Sequence, residues 1–137
     1  MSTQNRISIK EVMLPLGKFP VLSEKSIFTE ALEEMCNFKL GIACIVNQTG
    51  TLEAVITDGD IRRKILNVQK PFSALLSDDL VFHINKKPKK ILINSNISKA
   101  FNIMKKNKIW DLPVIDKNNK LQGMLHLHPV VKYFLNK

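Results

Sequence analysis

Long hydrophobic runs are missing from this 137-residue chain. A membrane-spanning helix needs about 20 consecutive apolar residues, and no stretch approaches that, so no membrane partner is expected. The opening residues, Met1-Ser2-Thr3-Gln4-Asn5-Arg6, lack the apolar centre of a secretory signal, which makes the cytoplasm the expected compartment. Cysteine is scarce: Cys36 and Cys44 form neither a CxxC pair nor a disulfide framework, and both read as small buried hydrophobes. Aromatics are also few, with one Trp, one Tyr and seven Phe, and most Phe fall at core-like positions. That argues against a nucleic-acid surface built on base stacking. Trp110 fits either a stacking platform or a cover over the core rim, the second being the commoner role. Acidic residues are outnumbered, 12 against 21 Lys and Arg, for a net charge of +9. The excess suits anionic partners without choosing among a nucleotide, a nucleic acid and an acidic protein surface. The run Lys86-Lys87-Pro88-Lys89-Lys90 reads as a solvated linker.

Catalytic and metal-binding sets are missing as well. No Ser/His/Asp or Cys/His arrangement has motif support, so no enzyme is expected within this chain. His126 and His128 lie two residues apart, on one face of a strand, yet a metal site needs a third ligand and none is near in sequence. Asp58 and Asp60 resemble the start of a calcium loop, but Arg62 and Gln69 stand where that loop needs oxygen ligands. No metal and no bound cofactor are therefore expected.

What is present is an ordinary globular composition, 45% hydrophobic and 24% charged. Residues 1–8 are polar and read as a flexible N-terminus. Ile9, Val12 and Met13 suit one helical turn before Pro15, and Val21-Leu22 a short strand. Ser26 is placed to cap a helix carrying Ile27, Phe28, Ala31, Leu32 and Met35 at spacings of three and four, ending near Phe38. Ile42 to Val46 and Leu52 to Ile56 read as strands around the turn Asn47-Gln48-Thr49-Gly50, and a helix follows Asp60 to about Leu66. The order then recurs: a strand at Ile91 to Ile93, a helix through Ile97, Ala100, Phe101 and Met104, strands at Leu112 to Ile115 and Leu121 to Leu125, and a helix from Pro129 to about Leu135.

A shift of 69 residues superposes the halves without a gap between residues 28 and 66, taking Ala31 to Ala100, Met35 to Met104, Val46 to Ile115 and Leu52 to Leu121. Chance rarely keeps small and large apolar positions in step over such a length, so the chain reads as an internal duplication. Each half has too little apolar surface to stand alone. The expected fold is α+β, two β-α-β-β-α units sharing one core about a pseudo-twofold axis, with repeats at 9–70 and 71–137.

The stretch Leu52 to Arg63 carries the chemistry. An apolar strand breaks into Thr57-Asp58-Gly59-Asp60 and resumes as a helix, a turn whose free N–H groups and helix dipole favour an anion. Thr57 supplies a hydroxyl, Asp60 a carboxylate able to accept from a ribose diol, and Arg62 and Arg63 positive charge. The set suits a nucleotide or a sugar phosphate. The same residues also fit a plain helix start in which Asp58 is the cap and the arginines face water.

Two such repeats, with Glu30-Ala31-Leu32-Glu33-Glu34-Met35, Leu40-Gly41, Thr57-Asp58-Gly59-Asp60-Ile61-Arg62-Arg63 and Leu125-His126-Leu127-His128, resemble a pair of cystathionine-β-synthase (CBS) domains, a Bateman module. The combination looks most like the C-terminal CBS pair of bacterial arabinose-5-phosphate isomerases, which act in the synthesis of Kdo, a lipopolysaccharide sugar. The resemblance implies a regulatory module that senses an adenine nucleotide or a nucleotide-sugar, forms a homodimer and acts on an attached or partner isomerase domain. A stand-alone CBS protein, or a CBS module of a sugar nucleotidyltransferase, would fit the same pattern, and a basic nucleic-acid-binding domain is the rival class. By the resemblance Asp60 holds the ribose, Thr57 sits near the phosphate with Arg62 and Arg63 as its partners, and the backbone at Ile42 and Ala43 lines the base pocket; Asp58, at the helix N-terminus, is counted in the same nucleotide-binding set. The second cleft, at Pro113, His126 and His128, departs from the family: His126 replaces Thr57 and Pro129 replaces Asp60, so the ribose acceptor is lost. Ala54 also replaces a glycine usual in the family, and a methyl group there is expected to crowd a ligand in the first cleft.

Overall fold

The computed structural model describes residues 8–67 and 69–135. Residues 1–7 of the expected flexible terminus lie outside them. Ser8 is not loose chain: its side chain accepts from Glu11 N at 3.3 Å and caps α1, Ile9–Val12.

Contacts divide the chain into two compact units, 19–88 and 1–18 with 89–137. The 19–88 unit holds β2 (Val21–Ser23), α2 (Phe28–Phe38), β3 (Ile42–Val46), β4 (Leu52–Thr57), α3 (Asp58–Asn67) and α4 (Phe72–Leu76). Its sheet runs β2-β3-β4, parallel then antiparallel. The other unit holds α1, β1 (Leu14–Pro15), β5 (Ile91–Leu92), α5 (Ile97–Asn107), β6 (Asp111–Ile115), β7 (Leu121–His126) and α6 (Leu127–Leu135), with sheet order β1-β7-β6-β5.

The 69-residue shift holds in the backbone. Ile42↔Thr57 becomes Asp111↔His126, the bulge at Ile45/Val46 becomes one at Val114/Ile115, and the left-handed helix ends at Lys39 and Lys108 correspond. Each unit buries the expected small–large pattern. Phe28, Ala31 and Met35 pack with Ala43, Ile45, Ala54 and Ile56 in one, and Ile97, Ala100 and Met104 with Leu112, Val114 and Leu125 in the other. Leu32 and Phe101 are half-buried against these clusters.

The units do not follow the sequence boundary near residue 70. The segment leading the first repeat, α1 and β1, pairs with β7 in the unit of the second repeat, where Pro15 lies opposite Gly123. The segment leading the second repeat, α4 and a 3-10 turn at Leu80–Phe82, closes the 19–88 unit, burying Leu75 and Leu80 and bridging Asn85 to Val55. Neither α4 nor that turn has enough periodicity to be read from sequence.

Several local expectations are corrected. Ile27, not Ser26, is the cap position of α2: Ile27 N donates to the Glu30 carboxylate at 3.0 Å, while Ser26 is buried and its carbonyl accepts from Leu80 N at 2.9 Å. Cys44 is buried, but Cys36 lies on the exposed face of α2. Trp110 is 66% exposed. Both final helices begin two residues early, at Asp58 and Leu127, because the strand leading in extends the hydrogen bonding. Asp58 N donates to Gly41 O at 3.0 Å and Leu127 N to Trp110 O at 2.7 Å. Pro129 is thus the third residue of α6, still within the first turn where its missing N–H costs nothing. Among the described residues no helix is long and apolar enough to cross a membrane.

Candidate functional site

In the 19–88 unit the β3–β4 hairpin brings six of the seven proposed residues to its open end. Thr57 ends β4 opposite Ile42, with Ala43 opposite Ile56, and α3 starts at once. Asp58 is therefore not the cap. Thr57 is: its Oγ1 accepts from Asp60 N at 3.2 Å, and its own N–H donates to Asp60 Oδ2 at 3.0 Å. This reciprocal pair is a capping box and fixes the Asp60 carboxylate beside the helix start. The second Asp60 oxygen, Oδ1, accepts from Arg63 Nη2 at 2.7 Å.

Arg63 reaches Asp60 by folding back over Gly59, where a Cβ would stand 3.3 Å from Nη1. Its guanidinium thus occupies ground that the helix dipole makes favourable to an anion. The Arg63 side chain is 61% exposed and Asp60's only 19%. Arg62 is exposed one position away.

Gly41 explains the approach of Asp58. A Cβ at Gly41 would lie 2.6 Å from Asp58 Oδ2, so any larger residue there would push the carboxylate aside. An open hollow of about 360 Å³ lies beside it, lined by Leu32, Met35, Cys36, Lys39, Gly41 and Asp58. The Ile42 and Ala43 side chains are buried, leaving only their backbone to a ligand. Among the described residues β2 pairs no further along β3 than Val21↔Cys44, where Pro20 O takes the Cys44 N–H at 3.0 Å.

The same corner of the other unit carries different groups. Asp111 stands where Ile42 stands and pairs across the ladder with His126, Nδ1 to Oδ1 at 2.7 Å. The Asp111 side chain is 8% exposed and the His126 side chain 32%. Sequence reading missed Asp111. The signal was there: the 69-residue shift sets it opposite His126, where a half-buried imidazole finds a carboxylate partner. Pro113, at the Cys44 position, offers no N–H, so β5 begins one residue later than β2 and stops at Ile91↔Val114. His128 is exposed on α6. Among the described residues no three His, Cys, Asp or Glu side chains converge as metal ligands.

Two β-α-β-β units of one register, each ending in a helix, define the class. Residues 78–135 match the CBS domain family, and the chain carries the fold of CBS-domain proteins. It resembles the crystal structure of CBSX2, from Arabidopsis thaliana, in complex with AMP, with a TM-score of 0.81 at 23% identity over 94% of this chain and 96% of that one. Among curated relatives, an uncharacterized Helicobacter pylori protein is 29% identical over 127 residues, 92% of this chain and 37% of its own length. The arabinose 5-phosphate isomerase KdsD of Pseudomonas aeruginosa is 27% identical over 129 residues, again 92% and 37%. The chain spans well under half the length of these relatives.

Proposed function

We propose that this chain is a non-catalytic, ligand-sensing CBS module whose 19–88 unit binds an adenine nucleotide or a nucleotide-sugar. The observation that carries the reading is the Thr57–Asp60 capping box, which holds an acceptor carboxylate beside a helix N-terminus. The AMP complex of a protein with the same fold supports the adenine class. Binding works by exchange. The ligand phosphate draws Arg63 off Asp60 Oδ1, and the ribose hydroxyls then donate to the freed oxygen, so no charge loses its partner. Thr57 and Asp58 bound the phosphate side, Arg62 adds charge, and the Ile42 and Ala43 backbone meets the base.

The module serves, in this reading, as the regulatory part of a cytoplasmic sugar-phosphate isomerase of the arabinose 5-phosphate type, within a homodimer. Similarity to the Pseudomonas enzyme supports that assignment. Regulation follows if the ligand favours one packing of the module over another, since only differential affinity shifts an equilibrium. The test is a thermal-shift screen of adenine nucleotides and nucleotide-sugars followed by calorimetric titration. A hit raises the melting temperature with ligand concentration by mass action. Absence of any shift across both classes overturns the reading.

A further inference from the structure

The candidate ribose acceptor is already engaged by the protein itself. Asp60 Oδ2 takes the Thr57 N–H at 3.0 Å within the capping box, a bond that belongs to the start of α3. Oδ1, the oxygen left over, accepts from Arg63 Nη2 at 2.7 Å, and Arg63 is the exposed member of that pair. Gly59 leaves room for the arginine to fold back. A Cβ there would stand 3.3 Å from Nη1, tighter than a side chain ordinarily sits. The other unit has no counterpart to this set. The 69-residue shift puts His128, Pro129 and Lys132 at the positions of Gly59, Asp60 and Arg63, and with proline at 129 the carboxylate is missing.

We infer that Arg63 is a gate, one that favours ligands carrying a phosphate and turns away the bare nucleoside. The gate rests on the nucleotide reading of the proposed function and deepens it by naming what the ligand must carry. To donate to Oδ1, a ribose hydroxyl has to displace the guanidinium. A nucleoside is neutral and offers Arg63 no anion in exchange, so the ion pair is simply lost to water. A nucleotide brings its own anion, and Arg63 passes from carboxylate to phosphate with a charge-assisted bond kept. An exposed ion pair is weak, so its loss holds back a nucleoside by at most about fivefold. The larger part of the preference is the bond from the released arginine to phosphate, worth about ten- to a hundredfold. Arg63 therefore acts with opposite sign on two ligands that differ only in the phosphate.

The test is calorimetric titration of AMP and of adenosine into the intact chain and two variants, Arg63→Met and Gly59→Ala, with circular dichroism to check that each is folded. Arg63→Met should weaken AMP about tenfold or more and strengthen adenosine about two- to fivefold. Gly59→Ala keeps the arginine but crowds its folded-back position, and should strengthen adenosine about twofold. A residue that only bound phosphate would leave adenosine unchanged in Arg63→Met, and one that only steadied the helix would move both ligands the same way. Adenosine bound no more tightly by either variant than by wild type overturns the gate; if wild type still binds AMP, the proposed function stands without it. Failure of wild type and both variants to bind either ligand overturns the gate together with the adenine part of the proposed function.

Discussion

At the open end of the β3–β4 hairpin Ile42 faces Thr57; at the open end of β6–β7 Asp111 faces His126. The backbones correspond residue for residue, yet the chemistry has moved. One unit keeps its carboxylate on the helix, at Asp60, where it meets the exposed side chain of Arg63. The other has Pro129 in that position and carries its carboxylate on the strand, at Asp111, almost wholly buried against an imidazole. An exposed, exchangeable ion pair can be opened by a ligand. The second carboxylate is almost wholly buried and already holds an imidazole at 2.7 Å, so a ligand has less access to it. The comparison separates a corner whose ion pair is open to solvent on the arginine side from one whose carboxylate is closed off.

The largest test concerns the cores that hold these corners. Phe28 is fully buried and meets the His83 ring edge-on at 5.1 Å, whereas its counterpart is the aliphatic Ile97. Phe28→Ala should cost about 3–5 kcal/mol by urea unfolding. A loss under 1 kcal/mol would show that the leading segment 71–85 does not close this unit as described.

The next test strikes the exchange corner. Asp60→Ala should weaken nucleotide binding about ten- to a hundredfold, the loss of about 1.5–3 kcal/mol for a charge-assisted bond, read by calorimetric titration. The same change removes one half of the capping box, so melting should fall too, by about 1 kcal/mol of stability. Thr57→Ala should match that loss and Asp58→Ala should not, since Thr57 is the cap. Equal affinity of Asp60→Ala and wild type would end the ribose assignment.

A third test exploits Gly123 and Ala54, which correspond in the two units. At Gly123 a Cβ would meet Met13 Sδ and lie 2.7 Å from Leu14 O, because β1 runs alongside. Gly123→Ala should cost about 1–3 kcal/mol through overpacking against backbone. Ala54→Gly should cost only about 0.5–1 kcal/mol, the entropy of a strand glycine. Similar losses at both sites would mean that β1 does not lie where the pairing places it.

Much of this was legible beforehand. The duplication, the strands from Ile42 to Ile56 and from Leu112 to Leu125, and both amphipathic helices follow from periodicity and turn residues. What escaped depended on partners distant in sequence. The helix starts moved because Gly41 O and Trp110 O receive Asp58 N and Leu127 N, which no local pattern announces. Ser26 lost the cap because Leu80 N takes its carbonyl. Ile61 and Val130 are buried within their own units, while Ile65 on α3 is 48% exposed. Asp111 was overlooked because a single acidic residue before a strand is ordinary until its opposite number across the ladder is known.

The smallest expected effect is one of pH, and it belongs to the 19–88 unit. Asp78 Oδ2 accepts from Lys70 Nζ at 2.8 Å and lies 2.9 Å from His83 Nε2. The Lys70 hydrogen bond first, and the His83 contact second, hold the Asp78 carboxyl below its ordinary value. A depressed carboxyl binds fewer protons folded than unfolded. Its contribution is therefore complete above the unfolded value, about pH 4, and disappears as pH falls through the lower folded value. Wild type should lose melting temperature on acidification below about pH 4 more steeply than Asp78→Asn, which has no carboxyl to protonate there. The two curves should be furthest apart at neutral pH and converge in acid. Lys70→Met should remove part of the gap, since the lysine bond is the larger cause. Parallel curves for wild type and Asp78→Asn across the acid range would show that the Lys70–Asp78–His83 contact contributes nothing to holding the leading segment on this unit.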